Sequence, residues 1–273
     1  MKKIIMGLLV ILVFGSVFSS CDGFFSASWG AKSQREYDAD KIDVNTENLD
    51  LWIKRAVGNP ALAAIINEKI AQIVRTGPYN RDKAILVDGA VKLAVESTGL
   101  GQSILSNATG SLMDMLNGEG EGDMDLISSI LGDIQRDFNN NGGQQIAENL
   151  GRLLIESGSI NNTGIGQAPR FDAAYAGIAQ PSDVSEAIIV LVLGSLNTPV
   201  NEIDLDDLDG IMDGLNFVQG NNGKTIVTVG PGATDADIAL AAYANLLNDP
   251  AFESKADGNP ILSVLKSMLS GNF

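Results

Sequence analysis

Histidine is absent from this 273-residue chain, cysteine occurs once, and aromatic residues make up only 5% of it. Without imidazole, neither a Ser-His-Asp or Cys-His nucleophile nor a zinc site with histidine ligands can be assembled. A lone thiol excludes an intramolecular disulfide. Positive charge is scarce too, with 18 Lys and Arg against 34 Asp and Glu, a formal charge of −16. Such a surface repels phosphate backbones, so nucleic acid is not an expected partner. Glycosidase chemistry needs only two carboxylates, but such enzymes line their clefts with Trp and Tyr, and here there are two Trp and four Tyr. What remains is ample apolar material, 45% of the residues, enough for one large or two small domains.

The longest apolar run opens the chain. Lys2 and Lys3 precede an apolar stretch from Ile4 to Phe18, which ends in Ser19-Ser20-Cys21. The run is too short to span a bilayer comfortably and suits the core of a signal peptide. This order resembles the precursors of bacterial lipoproteins, in which small residues precede a cysteine. The resemblance implies removal of residues 1–20, diacylglyceryl transfer to the Cys21 thiol, and acylation of the new amino terminus by a fatty acid such as palmitate. Phe18 stands where the family has Leu, Val or Ile. The alternative is an ordinary secretory signal with a coincidental cysteine. On the lipoprotein reading, the mature chain has no free thiol and carries 16 positive against 34 negative residues, or −18. It would sit in the bacterial cell envelope, facing the periplasm. Asp22, directly after the cysteine, resembles an inner-membrane retention signal of some bacteria and leans the expectation toward that membrane.

Residues 21–44 read as the acylated cysteine and a flexible tether, interrupted by Phe24, Phe25 and Trp29, and residues 45–273 as a helical domain. The expected fold is all-α, a multi-helix bundle or an irregular helical-hairpin repeat. Asn59-Pro60 supplies a cap and a first-turn proline, followed at the helical period by Leu62, Ile65, Ile66, Ile70, Ile73 and Val74, and Gly77-Pro78 ends the run. Asn80 opens the next helix, with Leu86, Ala90, Leu93 and Ala94, which stops near Gly99. Further stripes are Ile127, Ile130, Leu131, Ile134 and Ile146, Leu150, Leu153, Leu154. Thr234 with Asp237 reads as a capping box before Ala239, Ala242, Tyr243 and Leu246, and Asn259-Pro260 starts a last helix. Ala187 to Leu193 is apolar all round and reads as a central buried helix. One short β-hairpin is expected near 216–229, where β-branched residues flank Gly220-Asn-Asn-Gly223.

A faint echo relates Asp88–Ser97 to Glu148–Ser157, sixty positions on. Repeated helical hairpins produce such an echo, and so do amphipathic helices by coincidence.

Asp137-Phe-Asn139-Asn-Asn141-Gly142-Gly-Gln-Gln-Ile-Ala-Glu148 fits D-x-[DN]-x-[DN]-G-x5-E and resembles an EF-hand calcium loop. The resemblance implies a Ca2+ held by Asp137, Asn139, Asn141, the Gly143 carbonyl, Gln145 (through water) and Glu148. Gln144 replaces the family's aliphatic residue, no second loop pairs with this one, and two charged ligands imply weak affinity, about 10⁻⁴–10⁻³ M. Glu119–Asp125 and Glu202–Asp209 are acidic without such spacing and read as solvated helix starts. Gly223-Lys224-Thr225 imitates the end of a phosphate loop, but Val218 occupies the place of its first glycine and no helix follows.

These features describe a non-enzymatic, lipid-anchored envelope module that binds or scaffolds another envelope protein or a small ligand, with calcium as the one cofactor implied. The alternatives are a carboxylate-based hydrolase of envelope polymers, marked by a cleft with facing carboxylates of raised pKa, and a receptor for a small apolar ligand.

Overall fold

In the computed structural model the described residues are 38–57, 59–98, 135–136, 138–140, 142–195, 214–220, 224–256 and 262. The expected signal peptide, Cys21, Asp22, the aromatics of the expected tether, the stripe from Ile127 to Ile134 and both acidic stretches lie outside them, as does all of the expected last helix except Leu262. Of the described residues 64% are helical and 9% are in strands, a mostly-α fold.

A 3-10 turn, Ala39–Lys41, leads into α1 (Leu49–Ala56) and then α2 (Pro60–Val74) and α3 (Arg81–Ser97). After α4 (Gly143–Glu156) come a minimal hairpin, β1 (Ile160–Asn161) and β2 (Arg170–Phe171), and the helices α5 (Ala173–Ile178) and α6 (Pro181–Ser195). A second antiparallel hairpin, β3 (Leu215–Gln219) and β4 (Thr225–Val229), precedes α7 (Asp235–Leu247) and α8 (Pro250–Ala256).

The caps act as their residue types require. The Asn59 side chain accepts from Leu62 N–H and that of Asn80 from Lys83 N–H, each satisfying a donor that has no partner within its helix. Thr234 and Asp237 form the reciprocal capping box of α7, with Asp237 N donating to Thr234 Oγ1 at 3.1 Å and Thr234 N to Asp237 Oδ2 at 2.9 Å. The C-terminus of α2 is closed by a lysine: buried Lys83 donates to the carbonyls of Val74 (3.1 Å), Gly77 (2.8 Å) and Thr76. A cation among C-terminal carbonyls also complements the helix dipole.

The apolar stripes face one core. Leu62, Ile66, Ile70 and Val74 of α2 are buried, while Ile65 is half-buried and Ile73 exposed. The expected central helix is present, with Ala187 to Leu191 buried throughout α6. The last stripe behaves differently from its reading. In α7 every residue from Ala239 to Ala244 is at most 1% exposed, so this helix is buried all round rather than on one face. It contacts α4, α6, β2 and β4.

Two features depart from the expected outline. The packed domain begins by Ile42, because Ile42 and Val44, read as tether, are buried. Trp52 Nε1 and Asn48 Nδ2 both donate to the Asp43 carbonyl, at 2.7 and 3.1 Å, and fold the incoming chain onto α1. The hairpin near 216–229 is present, but β1 and β2 are an additional pair whose two-residue strands are too short to leave a period-2 pattern. Asn245 of α7 completes the outer edge of β4 as a third strand would: its Oδ1 accepts from Val227 N–H (2.9 Å) and its Nδ2 donates to Val227 O (2.8 Å). The two echo segments fall on equivalent buried faces, Ala90, Leu93 and Ala94 of α3 matching Leu150, Leu153 and Leu154 of α4.

Close approach is set by glycine where α4 crosses the start of α7. A Cβ at Gly151 would collide with the Asp235 backbone, whereas one at Gly177 of α5 would meet nothing within 4 Å. Gly151→Ala is therefore expected to destabilise by about 1–3 kcal/mol through overpacking. Gly177→Ala should be neutral or stabilise by up to about 1 kcal/mol. Urea unfolding of the two variants beside the wild type checks the contrast, and equal effects would contradict this packing.

Candidate functional site

Charged side chains are rare in the interior of this domain, and the main exception lies between α3 and α6. Asp88 and Lys92 are four residues apart on α3, on one face of the helix. Asp183 stands in the first turn of α6, where a carboxylate suits the helix dipole, and Glu186 follows on the same side. The packing of α6 on α3 brings these together. Lys92 Nζ lies 3.0 Å from Asp88 Oδ2 and 3.3 Å from Asp183 Oδ2, bridging the helices. Among the described residues, Asp88 Oδ1 is buried and receives no hydrogen bond.

One cation serves several carboxylates here, and their protonation reflects it. Burial pushes Glu186 up to about 7, reinforced by the charges of Asp183 and Glu96 and opposed by Lys92. Asp88 is raised by burial, with Lys92 pulling the other way and Asp183 adding to the rise. Burial disfavours the charge on Lys92, but Asp88 and Asp183 outweigh it and hold the ammonium form above its ordinary range. Glu186 is thus a carboxyl that exchanges its proton near neutrality, a property that catalytic acids and structural ion clusters share.

A second polar group sits under α5 and α7. The Tyr175 and Tyr243 hydroxyls, fully buried, are 2.7 Å apart, and the Phe171 ring lies 4.5 and 4.6 Å from the two tyrosine rings. Burial drives both phenols well above their ordinary range. Ser159 Oγ donates to Tyr79 Oη at 2.9 Å and lies 2.7 Å from Ser157 Oγ. Tyr79 is pushed up to about 12, chiefly by burial. These hydroxyls hold the interior together and have no activating base among the described residues.

The loop expected to hold calcium is described only in part. Asp137 and Asn141 lie outside the described residues. Asn139 is helical and exposed, Gly142 turns the chain with φ 73°, and α4 already begins at Gly143. Gln145 Nε2 bonds Asn149 Oδ1 at 3.1 Å, and Glu148 Oε2 accepts from Ala236 N–H at 3.3 Å, at the N-terminus of α7. Phe138 is fully buried, with its ring under Gly143. No group of three or more Asp or Glu able to hold a metal occurs among the described residues. The phosphate-loop imitation is likewise structural: Thr225 starts β4, and Lys224 Nζ binds Asn248 O (3.2 Å) and Glu253 Oε2 (2.9 Å).

The sequence reading missed the α3–α6 cluster. Its only local signal was the spacing of Asp88, Lys92 and Glu96, common on any solvated helix. Comparison of the chain with protein-family models, curated proteins and solved structures finds no match in any of the three.

Glu186 generates a pH prediction. In the unfolded chain it ionises near 4.5, whereas in the fold it holds its proton to about 7. Its ionisation penalty is absent below 4.5, grows between 4.5 and about 7, and is complete above that. Glu186→Gln should therefore stabilise the protein at about pH 8, by up to ~2–3 kcal/mol, and change little at about pH 4. Calorimetric melts across that range measure it, and a variant no more stable than wild type at the alkaline end would contradict the placement. Glu148→Gln removes the negative charge at the start of α7 and should cost about 1 kcal/mol with or without millimolar calcium. A calcium-dependent rise in Tm that this variant loses would support the ion-binding loop.

Proposed function

We propose that this protein is a membrane-anchored lipoprotein of the bacterial cell envelope whose helical domain binds or scaffolds another envelope component. The observation that carries the reading is the order of the first twenty-one residues: two lysines, an apolar run, two serines and Cys21. Among the described residues no helix is long and apolar enough to cross a membrane, which is compatible with attachment through lipid. The domain itself supports a binding role more than a catalytic one. The hydroxyls of Tyr79, Ser157 and Ser159, and those of Tyr175 and Tyr243, are bonded to one another, and Lys92 is committed to a bridge between helices.

One observation favours the carboxylate-hydrolase alternative, the proton that Glu186 retains to about 7. That alternative requires hydrolysis of purified envelope polymer by the wild type and its loss in Glu186→Gln, at a pH where the variant is folded.

The lipoprotein reading is tested at Cys21. Cys21→Ser should abolish incorporation of a fatty-acid probe and release the protein from the membrane fraction. Continued labelling of the variant would overturn the reading.

A further inference from the structure

Cations are scarce in this chain, and most of those described are bound to carboxylates or carbonyls. Lys41, Arg75, Lys92, Arg152 and Lys224 stand within 4 Å of carboxylates, and Lys83 and Lys255 donate to carbonyls at helix ends. Lys69, Arg81 and Arg170 have no such partner among the described residues, and neither do Lys54 and Arg55. Lys54 and Arg55 are adjacent in the last turn of α1 and exposed. Leu51, on the preceding turn of the same face, is 50% exposed, and Val57 just beyond the helix is 36% exposed. The opposite side, through Leu49 and Ala56, is buried in the core. The Arg55 guanidinium lies 5.1 Å from the Trp52 ring centre, which orients it along the helix. An apolar side chain flanked by cations is the pattern of a helix that lies on an anionic lipid surface.

The position of α1 selects a membrane as occupant of this face. Only sixteen residues, 22–37, separate Cys21 from the first described residue, Asp38. Even fully extended they span about 60 Å. The Asp43 carbonyl, held by Trp52 and Asn48, brings the entering chain alongside α1, so this face lies next to the point where the tether joins the domain. The mature chain carries a formal charge of −18, and acids such as exposed Asp50 also lie on α1, so contact with anionic headgroups depends on the local cations of this face.

We infer that the exposed face of α1, formed by Leu51, Lys54 and Arg55, docks the domain on the anionic membrane that carries its lipid anchor. The acyl chains supply the affinity, and the helix sets the orientation, turning the acidic remainder of the domain away from the bilayer. This inference rests on the acylation of Cys21.

The test uses the acylated full-length protein in vesicles. With Cys21 blocked by its acyl group, Leu51→Cys presents the only thiol and accepts an environment-sensitive fluorophore; Ile165→Cys, at a position 70% exposed, serves as the reference. In phosphatidylglycerol-containing vesicles the label at 51 should shift to the blue and be quenched by brominated lipid, and the label at 165 should do neither. In pure phosphatidylcholine the contact at 51 should be lost. Lys54→Glu with Arg55→Glu should reduce docking by roughly 25-fold or more while the protein stays vesicle-bound, since each cation near an anionic surface contributes about fivefold. A label at 51 that stays water-exposed on vesicle-bound protein, or a contact indifferent to lipid charge or to the double substitution, overturns the docking face alone. Protein that fails to bind vesicles at all overturns the anchor reading beneath it.

Discussion

A helix built largely of alanine can be surrounded only if its neighbours come unusually close, and this fold is organised around that constraint. Ala239, Ala241, Ala242 and Ala244 give α7 a narrow outline, and each is at most 1% exposed. The helices α4 and α6 and strand β4 approach it from different sides. Interiors are close-packed, so small side chains on one element demand matching shapes on the next. Gly151 meets this demand where α4 crosses the Asp235 backbone, and Gly194 of α6 does so against Ala147. The larger groups of α7 are used where they add bonds: Tyr243 meets Tyr175, and Asn245 closes the edge of β4.

The same economy governs charge. With acids outnumbering bases by nearly two to one, not every buried carboxylate can be given a cation, and burial then favours its protonated form. Glu186 shows this directly, since Lys92 is already shared between Asp88 and Asp183. The cations that are buried or half-buried serve as structural clamps. Lys83 closes α2, and Lys224 joins the β3–β4 turn to α8 through Glu253. Lys54 and Arg55, adjacent and exposed on α1, have no carboxylate partner among the described residues.

Residue type and spacing alone determined the local events. Asn59, Asn80 and Thr234 each offer a side-chain acceptor to the amides just ahead of them, and Pro60 and Gly77 limit the same stretch of backbone. Such interactions span three or four residues, so helix starts, helix ends, the burial of Ala187 to Leu191 and the hairpin around Gly220 were all legible in the sequence. The charge balance and the order of two lysines, an apolar run and Cys21 are equally properties of the sequence alone.

Tertiary structure decided whatever depends on groups far apart in the chain. Lys92 and Asp183 meet only because α6 packs on α3, and no spacing within either helix announces the proton that Glu186 holds to about 7. The residues around Glu148 could not announce its contact with the Ala236 amide, because that contact depends on α4 carrying the carboxylate to the start of α7. One-sided burial was the natural reading of the α7 stripe, and its alanines became central only once α4, α6 and β4 covered the rest. A pattern of residue types specifies which backbone bonds form nearby. Which side chain faces which across the core is set by the packing of whole elements, and in this protein that packing is governed by alanine and glycine, which leave little mark on hydrophobic periodicity.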